Sequence, residues 1–545
     1  MQICSHTPAR TVLILFAVLA ALALAACGDD GGASSDLGPD PATVAPADVS
    51  LYFEAVVRPE GDQKESLLAA LSKVTNSDDP GALINSAIEQ GLSEQGFSYS
   101  EDVEPWLGQR AGAFLTELTA DGGDGAVAVA VTDTDAARSA IQKAADADDV
   151  QETDATYEGV DYQVDQEGAA VGIVGDFLVA GTKTGFEAAV DASNDASLTS
   201  NLEATDALDS VPSDSLFSTY IDAAKLVDLA VESGAVTQKD LEAAAGDQLD
   251  SLDEGPVVIS GGATADSFSI EASGPGGSDS PGDLVSGLPA DAWMAIGVPM
   301  IGEAISTGYQ SFVGSLESGL GDLPFSDLPG ADVPSTKLPD VEAELKSALG
   351  LDIAKDFAWA GDLAVFVQGS SLFDLGGAIV IDTDDEQAAS AALVKLRKAI
   401  QGERGIRVST TPDGFQIQLA GAPVGADVAL RDGKVVVAVA GVTVDDVLSP
   451  SEALADSDTF QSASGALGEG LEASLYLAFP PIVGLLESSG QTGDPSYQQV
   501  KPVLDALNYL VAGSGTDGDR AVGRLVLGLR DDGGSSSAAA AAITP

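Results

Sequence analysis

The feature that most constrains this chain is that it echoes itself, in order, over most of its length. Pro46-Ala47-Asp48 leads into an apolar strand from Ser50 to Val57, and Pro289-Ala290-Asp291 leads into another from Ala292 to Val298. Trp106-Leu107-Gly108 and Trp359-Ala360-Gly361 each precede an apolar strand. Gly125-Ala126-Val127-Ala128-Val129 is followed by its echo Gly377-Ala378-Ile379-Val380-Ile381. Asp133-Thr134-Asp135 and Asp382-Thr383-Asp384 each open an alanine-rich helix, Val179-Ala180-Gly181 recurs as Val439-Ala440-Gly441, and Tyr220 recurs as Tyr476. The spacing between partners drifts only slightly, as short loop insertions would make it. The period is far longer than a solenoid repeat, which points to domain duplication. The expectation is two tandem related units, 44–275 and 287–530, joined by the turn-rich stretch Gly274 to Gly282.

Within a unit the coarse order reads strand, long helical region, two strands, helix, three short strands, helix, strand, helix, strands. Successive strands separated by Gly/Asp turns favour antiparallel pairing, and Ala120 to Asp124 and Leu430 to Lys434 read as hairpin connections. From Asp385 to Gln401, Ala389, Leu393, Leu396 and Ile400 fall on one helical face, while Lys395 and Lys398 fall elsewhere. The fold class expected is α+β, each unit a mainly antiparallel sheet with helices packed on one face.

At the start of the chain, Arg10 precedes an apolar run from Val12 to Leu24, and Leu24-Ala25-Ala26-Cys27 ends it. Charge, apolar run and small residues in that order make a secretory signal peptide, and the run is short for a transmembrane helix. The four closing residues resemble the lipobox of bacterial lipoproteins, which implies removal of residues 1–26 and lipidation of Cys27. Residues 27–43, rich in Gly, Asp, Ser and Pro, read as a flexible tether reaching roughly 20–25 Å. Residues 531–545 read as a disordered tail.

Removing that leader takes away His6, the sole histidine, and Cys4, leaving Cys27 as the one cysteine. A Ser-His-Asp triad or a Cys-His pair then has no histidine, a Cys/His zinc site has no ligands, and no disulfide forms. The net charge of −62 opposes nucleic acid, whose binding depends on Lys and Arg neutralising phosphates. It also opposes anionic headgroups, so membrane contact is expected through the acyl anchor alone. Such a surface favours solubility.

Asp133-Thr134-Asp135 and Asp382 to Glu386 lack the glycine of a calcium loop, and their place between strand and helix fits N-terminal capping. Asp146, Asp148 and Asp149 read as a solvated loop. Trp106, Trp359, Tyr220 and Tyr476 read as large residues closing each core in preference to ligand platforms. Gly513-Ser514-Gly515 has neither the lysine nor the context of a phosphate loop. With 86 acidic residues, no chosen carboxylate pair points to glycoside hydrolysis.

A leader of this kind, followed by Pro46-Ala47-Asp48, a strand running into Val57-Arg58-Pro59-Glu60-Gly61-Asp62-Gln63, and then Trp106-Leu107-Gly108-Gln109-Arg110-Ala111-Gly112, resembles the "domain of unknown function 3352" family of actinobacterial surface proteins. The resemblance covers most of residues 44–530 and brings no catalytic set with it. The second unit keeps Trp359 and Gly361 but has Ala360 and Asp362 where the first has Leu107 and Gln109, and it lacks the Arg-Pro-Glu-Gly run. The functional expectation is a non-catalytic lipoprotein on the outer face of the cytoplasmic membrane, binding an envelope partner or acting as a spacer. It needs no cofactor or metal, contacts the membrane through its anchor and binds no nucleic acid. A carrier of an apolar or lipid ligand is the alternative. An importer's solute-binding component ranks lower, because it would want parallel βαβ units.

Overall fold

The computed structural model describes residues 37–94, 96–119, 122–147, 153–234, 236–237, 255–303, 353–371, 374–401, 403, 405–420, 425–488 and 490–531. Cys27, the leader, Asp148, Asp149, the Ala120–Asp121 turn and residues 532–545 lie outside the described residues. The chain divides into two compact units, one running to Gly277 and including Gly518–Val522, the other Ser278–Asp517 with the remainder from Gly523.

The first unit contains β1 (Leu51–Val56), β2 (Leu107–Thr119), β3 (Gly122–Val131), β4 (Thr153–Tyr157), β5 (Val160–Val164), β6 (Ala169–Val174), β7 (Phe177–Thr182), β8 (Ser215–Ile221), β9 (Val257–Thr264) and β10 (Ser267–Pro275). They hydrogen-bond in the order β4-β5-β6-β7-β3-β2-β1-β8-β9-β10, antiparallel throughout. Its helices are α1 (Gly61–Thr75), α2 (Pro80–Ser93), α3 (Thr134–Ala147), α4 (Lys183–Asn194), α5 (Leu202–Leu208) and α6 (Ala223–Glu232). Side chains alternate across a strand, and β3 is apolar on both sides. Ala126, Ala128 and Ala130 enter one core with Phe186 and Val190 of α4 and Ala204 of α5. Val127 and Val129 enter a second core with Ile88 and Leu92 of α2, Ala137 of α3 and Trp106. Helices therefore cover both faces of this sheet, where the sequence suggested one. A strand with no polar side has no face to leave in water, which is the physical reason.

The second unit contains β11 (Ala292–Val298), β12 (Leu363–Gln368), β13 (Gly376–Asp382), β14 (Ile406–Thr410), β15 (Gly414–Leu419), β16 (Gly425–Arg431), β17 (Lys434–Val439), β18 (Leu471–Ala478), β19 (Leu507–Asp517) and, from Gly523 on, β20 (Arg520–Leu529). Their order is β14-β15-β16-β17-β13-β12-β11-β18-β19-β20. Its helices include α7 (Gly282–Ser286), α8 (Glu386–Ile400), α9 (Val444–Leu448), α10 (Asp458–Leu467), α11 (Phe479–Ser488) and α12 (Pro495–Ala506). Leu284 and Val285 of α7, Phe366, Val380, Phe460 and Tyr476 share its core.

Several expectations meet the structure directly. Asp432 and Gly433, both at positive φ, form the two-residue turn between β16 and β17, which an Asp-Gly pair favours. Helix α8 buries Ala389 and Ala392, half-buries Leu393, Leu396 and Ile400, and exposes Lys395 and Lys398. Each unit has four short strands, not three, after the helix that follows its third strand. Within the expected tether to residue 43, Pro41 and Ala42 form a buried turn capped by Asp40, so this end of it packs as part of the first unit. Helix α7 starts at Gly282, where the expected linker ends, and its Val285 is fully buried, so the second unit starts before the expected residue 287.

Candidate functional site

In the first unit, Tyr52 and Glu54 sit two apart on β1 and so point to the same face. Arg110 reaches them from β2, where it is paired with Val56. The Tyr52 hydroxyl donates to Glu54 Oε2 at 2.8 Å, and Arg110 Nη1 donates to Glu54 Oε1 at 3.0 Å. The same guanidinium donates from Nε to the Pro39 carbonyl at 3.3 Å and from Nη2 to the Gly38 carbonyl at 3.1 Å. Asp40 stands 3.9 Å away. Gly112, next on that strand face, has no side chain and Pro41 packs into the space; a Cβ there would lie 2.6 Å from Pro41 Cβ. Burial raises the Glu54 carboxyl, Arg110 opposes it, and Asp40 adds to the rise. Burial also holds the Tyr52 phenol well above its usual value, with Glu54 adding to it. Beside this cluster lies a recess of about 250 Å³, bordered by Glu54, Arg110, Asp209 and Ser213. Both carboxylate oxygens of Glu54 and all three nitrogens of Arg110 already have partners, so the cluster welds residues 38–40 to the sheet.

Each unit also repeats one clamp. Trp106 Nε1 donates to the Asp102 carbonyl at 2.6 Å, and Lys143 of α3 pairs with the Asp102 carboxylate. Trp359 Nε1 donates to the Asp356 carbonyl at 2.7 Å, and Lys395 of α8 pairs with the Asp356 carboxylate. Burial acts to raise the Asp102 carboxyl, but Lys143 and the Ser98 amide outweigh it and hold it below its usual value. Trp106 is buried and Trp359 half-buried, each closing a core edge. Tyr220 and Tyr476 are fully buried, and burial pushes both phenols up to about 12.

The acidic motifs act as caps. Asp133 Oδ1 accepts from the amides of Asp135 and Ala136, and Asp385 Oδ1 accepts from Ala388. Asp382 ends β13 with Lys434 3.8 Å away. Asp146 accepts from Gln142 one turn earlier. Gly513-Ser514-Gly515 lies inside β19, where a Cβ at Gly513 would crowd the Glu472 carbonyl. Among the described residues, the Asp382 motif meets one other candidate: the Thr383 hydroxyl donates to the Trp359 carbonyl at 3.0 Å.

The second unit presents an apolar recess that no motif announced. It measures about 340 Å³ and is lined by β12, β13 and β17 without one polar side chain. Cross-strand register explains its shape. Val365, Ile379 and Val437 form one row, and Val367, Gly377 and Val439 form the next. Gly377 has no side chain because a Cβ would strike the Phe366 carbonyl, so the second row is hollow at its middle. Ile379 is 38% exposed and Val439 37%. Alternating apolar residues on this face were the available signal, but they are indistinguishable in sequence from strands buried on both sides.

A family model described as a protein of unknown function (DUF3352) matches residues 11–520. No curated protein matches the chain. Among solved structures, crystal form IV of TP0453 is similar at 11% identity with a TM-score of 0.24, covering 44% of this chain and 83% of that one. Crystal form I of TP0453 is similar at 11% identity with a TM-score of 0.22, covering 43% and 78%. Among the described residues no helix is long and apolar enough to cross a membrane.

Proposed function

The chain belongs to the DUF3352 family of unknown function, and from that membership we propose a non-catalytic lipoprotein, anchored through Cys27 to the outer face of the cytoplasmic membrane, that binds an envelope partner or spaces one from the bilayer. The observation that carries this reading is the weld at Gly38 and Pro39. It fixes the chain to a sheet eleven residues after the proposed anchor, so the ten residues 28–37 alone would act as tether, with a mean reach of roughly 16–19 Å. A polar cluster spent on internal bonds suits a stem better than an active site. Duplication belongs to this proposal. Both units follow one strand order, with Phe114–Ala126 in the first and Phe366–Ala378 in the second at the same place in the ladder. The test of the anchor is Cys27→Ser. One acyl chain binds a membrane marginally and two bind stably, so the variant is expected in the soluble fraction. Retention in membranes after a salt wash would refute the anchor.

A second reading, a carrier of an apolar ligand, is favoured by the recess between β12, β13 and β17. Its volume sits at the lower end of ligand pockets, about 300–1,000 Å³.

A further inference from the structure

We propose that the chain associates with copies of itself head to tail, the acidic edge strand β4 of one molecule pairing with the basic edge strand β14 of the next. Among the described residues β4 pairs with β5 alone and β14 with β15 alone. The turn geometry fixes which backbone groups stay outside. Glu158 and Gly159, both at positive φ, form the two-residue turn between β4 and β5, so Tyr157 and Val160 are a hydrogen-bonded pair. Bonded and non-bonded pairs alternate along an antiparallel ladder, so the N–H and C=O groups of Asp154 and Thr156 point away from β5. On β14 the Thr411 amide bonds to the Gly414 carbonyl, and the Ala420 amide to that of Gly405. The same alternation turns Ile406, Val408 and Thr410 outward. The Ile406 amide reaches the Glu403 carbonyl at 3.4 Å, while those of Val408 and Thr410 have no such bond among the described residues. An unpaired row of this kind is a template for another strand.

Charge selects the partner strand. Residues 146–161 hold seven acids and no cation, and residues 395–407 hold five cations and one acid. Both stretches run from the end of a helix into the edge strand of their unit. The last turn of α8 carries Arg397 and Lys398, whereas that of α3 carries Asp146 and no cation. Asp146, Asp154, Glu158 and Asp161 are exposed, as are Lys398 and Arg407. Asp148, Asp149, Glu152 and Arg404 lie outside the described residues and enter by sequence alone. Like charges set β4 against β4 and β14 against β14, which leaves the mixed pair. An antiparallel register that brings outward groups together sets Asp154 opposite Thr410, Thr156 opposite Val408 and Tyr157 opposite Arg407. Arg397 Nη1 already reaches Thr410 Oγ1 at 3.5 Å, and its Nε is buried without a partner. In that register the Asp154 carboxylate arrives beside this guanidinium. Each molecule offers one edge of each sign, so the contact is heterologous and repeats from copy to copy. Two short strands bury little area, which makes the association weak and sensitive to salt.

The experiment follows the full chain, purified in a nonionic detergent, by sedimentation velocity over a concentration series. The expected result is growth of the sedimenting species with concentration at low salt, reversed at high salt. Lys398→Glu with Arg407→Glu makes both edges acidic, and Asp146→Lys with Asp154→Lys makes both basic. Each double reversal should raise the dissociation constant on the order of tenfold or more. Mixing the two variants, or placing all four substitutions in one chain, should restore association, which a folding defect could not do. Val408→Pro keeps every charge and removes one outward amide, at an edge position that accommodates proline, and it should abolish the growth. Circular dichroism confirms that each variant is folded. A photo-crosslinker at Ser409 should capture residues 153–157 of a second, isotope-labelled copy. A chain that stays monomeric at every concentration overturns the proposal. So does association that survives either double reversal, that mixing fails to restore, or that Val408→Pro leaves intact, because the contact then lies elsewhere. Capture of the probe's own chain, or of another segment, shows β14 covered by something else and overturns it as well.

Discussion

Replacing Arg110 by alanine removes the hub of the weld and leaves Glu54 half-buried without its cation. The side chains of Arg110 and Glu54 are 15% and 18% exposed, which places the pair well inside the surface. Removing one partner from a buried ion pair costs about 3–5 kcal/mol. The surviving Tyr52 bond and the residual water contact put this case near the lower end, about 3 kcal/mol. The loss has an escape route, since Glu54 can take up a proton. Burial already raises its carboxyl above the ordinary value even beside Arg110, and removing the cation raises it further. A carboxyl raised in the folded state stabilises the fold in its protonated form. That contribution is complete below the unfolded pKa and is lost as pH rises through the folded one. Each unit of further rise is worth about 1.4 kcal/mol. The cost of Arg110→Ala should therefore be about 3 kcal/mol at pH 8. Near pH 5 it should fall towards about 1 kcal/mol, the residue left by the lost bonds to Gly38 and Pro39.

The assay is urea unfolding at both pH values in a Trp293→Phe, Trp359→Phe background. The chain has three tryptophans, so Trp106 then reports on the first unit alone. Adding Glu54→Gln to Arg110→Ala should recover most of the pH 8 loss, because a neutral amide needs no cation. A loss independent of pH, or a double variant no better than the single one, would show that Glu54 is not charged against Arg110 and that the weld reasoning is wrong.

The two clamps should respond alike. Lys143→Met and Lys395→Met each leave a largely buried aspartate beside a tryptophan, and because both lysines are about half exposed the cost should be about 1 kcal/mol apiece, read from urea midpoints. Gly125→Ala and Gly377→Ala should each destabilise by about 3 kcal/mol, the upper end of overpacking costs, since the new methyl meets a backbone carbonyl and cannot displace a flexible side chain; thermal unfolding measures both. Purified chain should turn over no ester, phosphate, peptide or glycosidic substrate. Turnover that survives repurification and vanishes when Glu54 becomes Gln would place catalysis at the weld.

Much of the α+β architecture was legible because alternation, glycine turns and helical stripes are local signals. The turn at Asp432-Gly433 and helix α8 fall where those signals put them. What escaped was set by partners distant in sequence. Nothing local to Gly38 or Pro39 distinguishes them from a tether; their order comes from Arg110, some seventy residues away. Val285 fell between the expected linker, which ends at Gly282, and the expected second unit, which starts at residue 287, yet the core of the second unit takes it in. Coverage of both faces in the first unit was equally hidden. A run such as Val127-Ala128-Val129 reads as apolar on either side and does not say which elements close it. Glu54 and Arg110 were overlooked for a related reason. Among 86 acidic residues a single carboxylate carries no signal until a cation is placed beside it.

Register tests the proposed duplication more severely than the motifs do. Gly125 and Gly377 occupy one place in their ladders, each facing the carbonyl of a phenylalanine on the neighbouring strand. Pro46 and Pro289 each bridge to the residue before a buried leucine, Leu198 or Leu454, whose amide bonds back to the chain just ahead of the proline. Gly108 packs on Ala130 as Gly361 packs on Asp382. These agreements are steric and support the proposed duplication more strongly than the motifs do. Two other echoes slip. The ladder sets Ala130 opposite Phe177 and Asp382 opposite Lys434, so the cap equivalent to Asp133 is Asp385, three residues beyond the Asp382 that begins the matching motif. Val179-Ala180-Gly181 slips by the same three residues against Val439-Ala440-Gly441. An aspartate is wanted at any helix start, and Val-Ala-Gly suits the end of many strands, so such motifs recur without common descent. Positions where only a missing side chain fits drift less readily, and the proposed duplication rests on those positions keeping step in the two units.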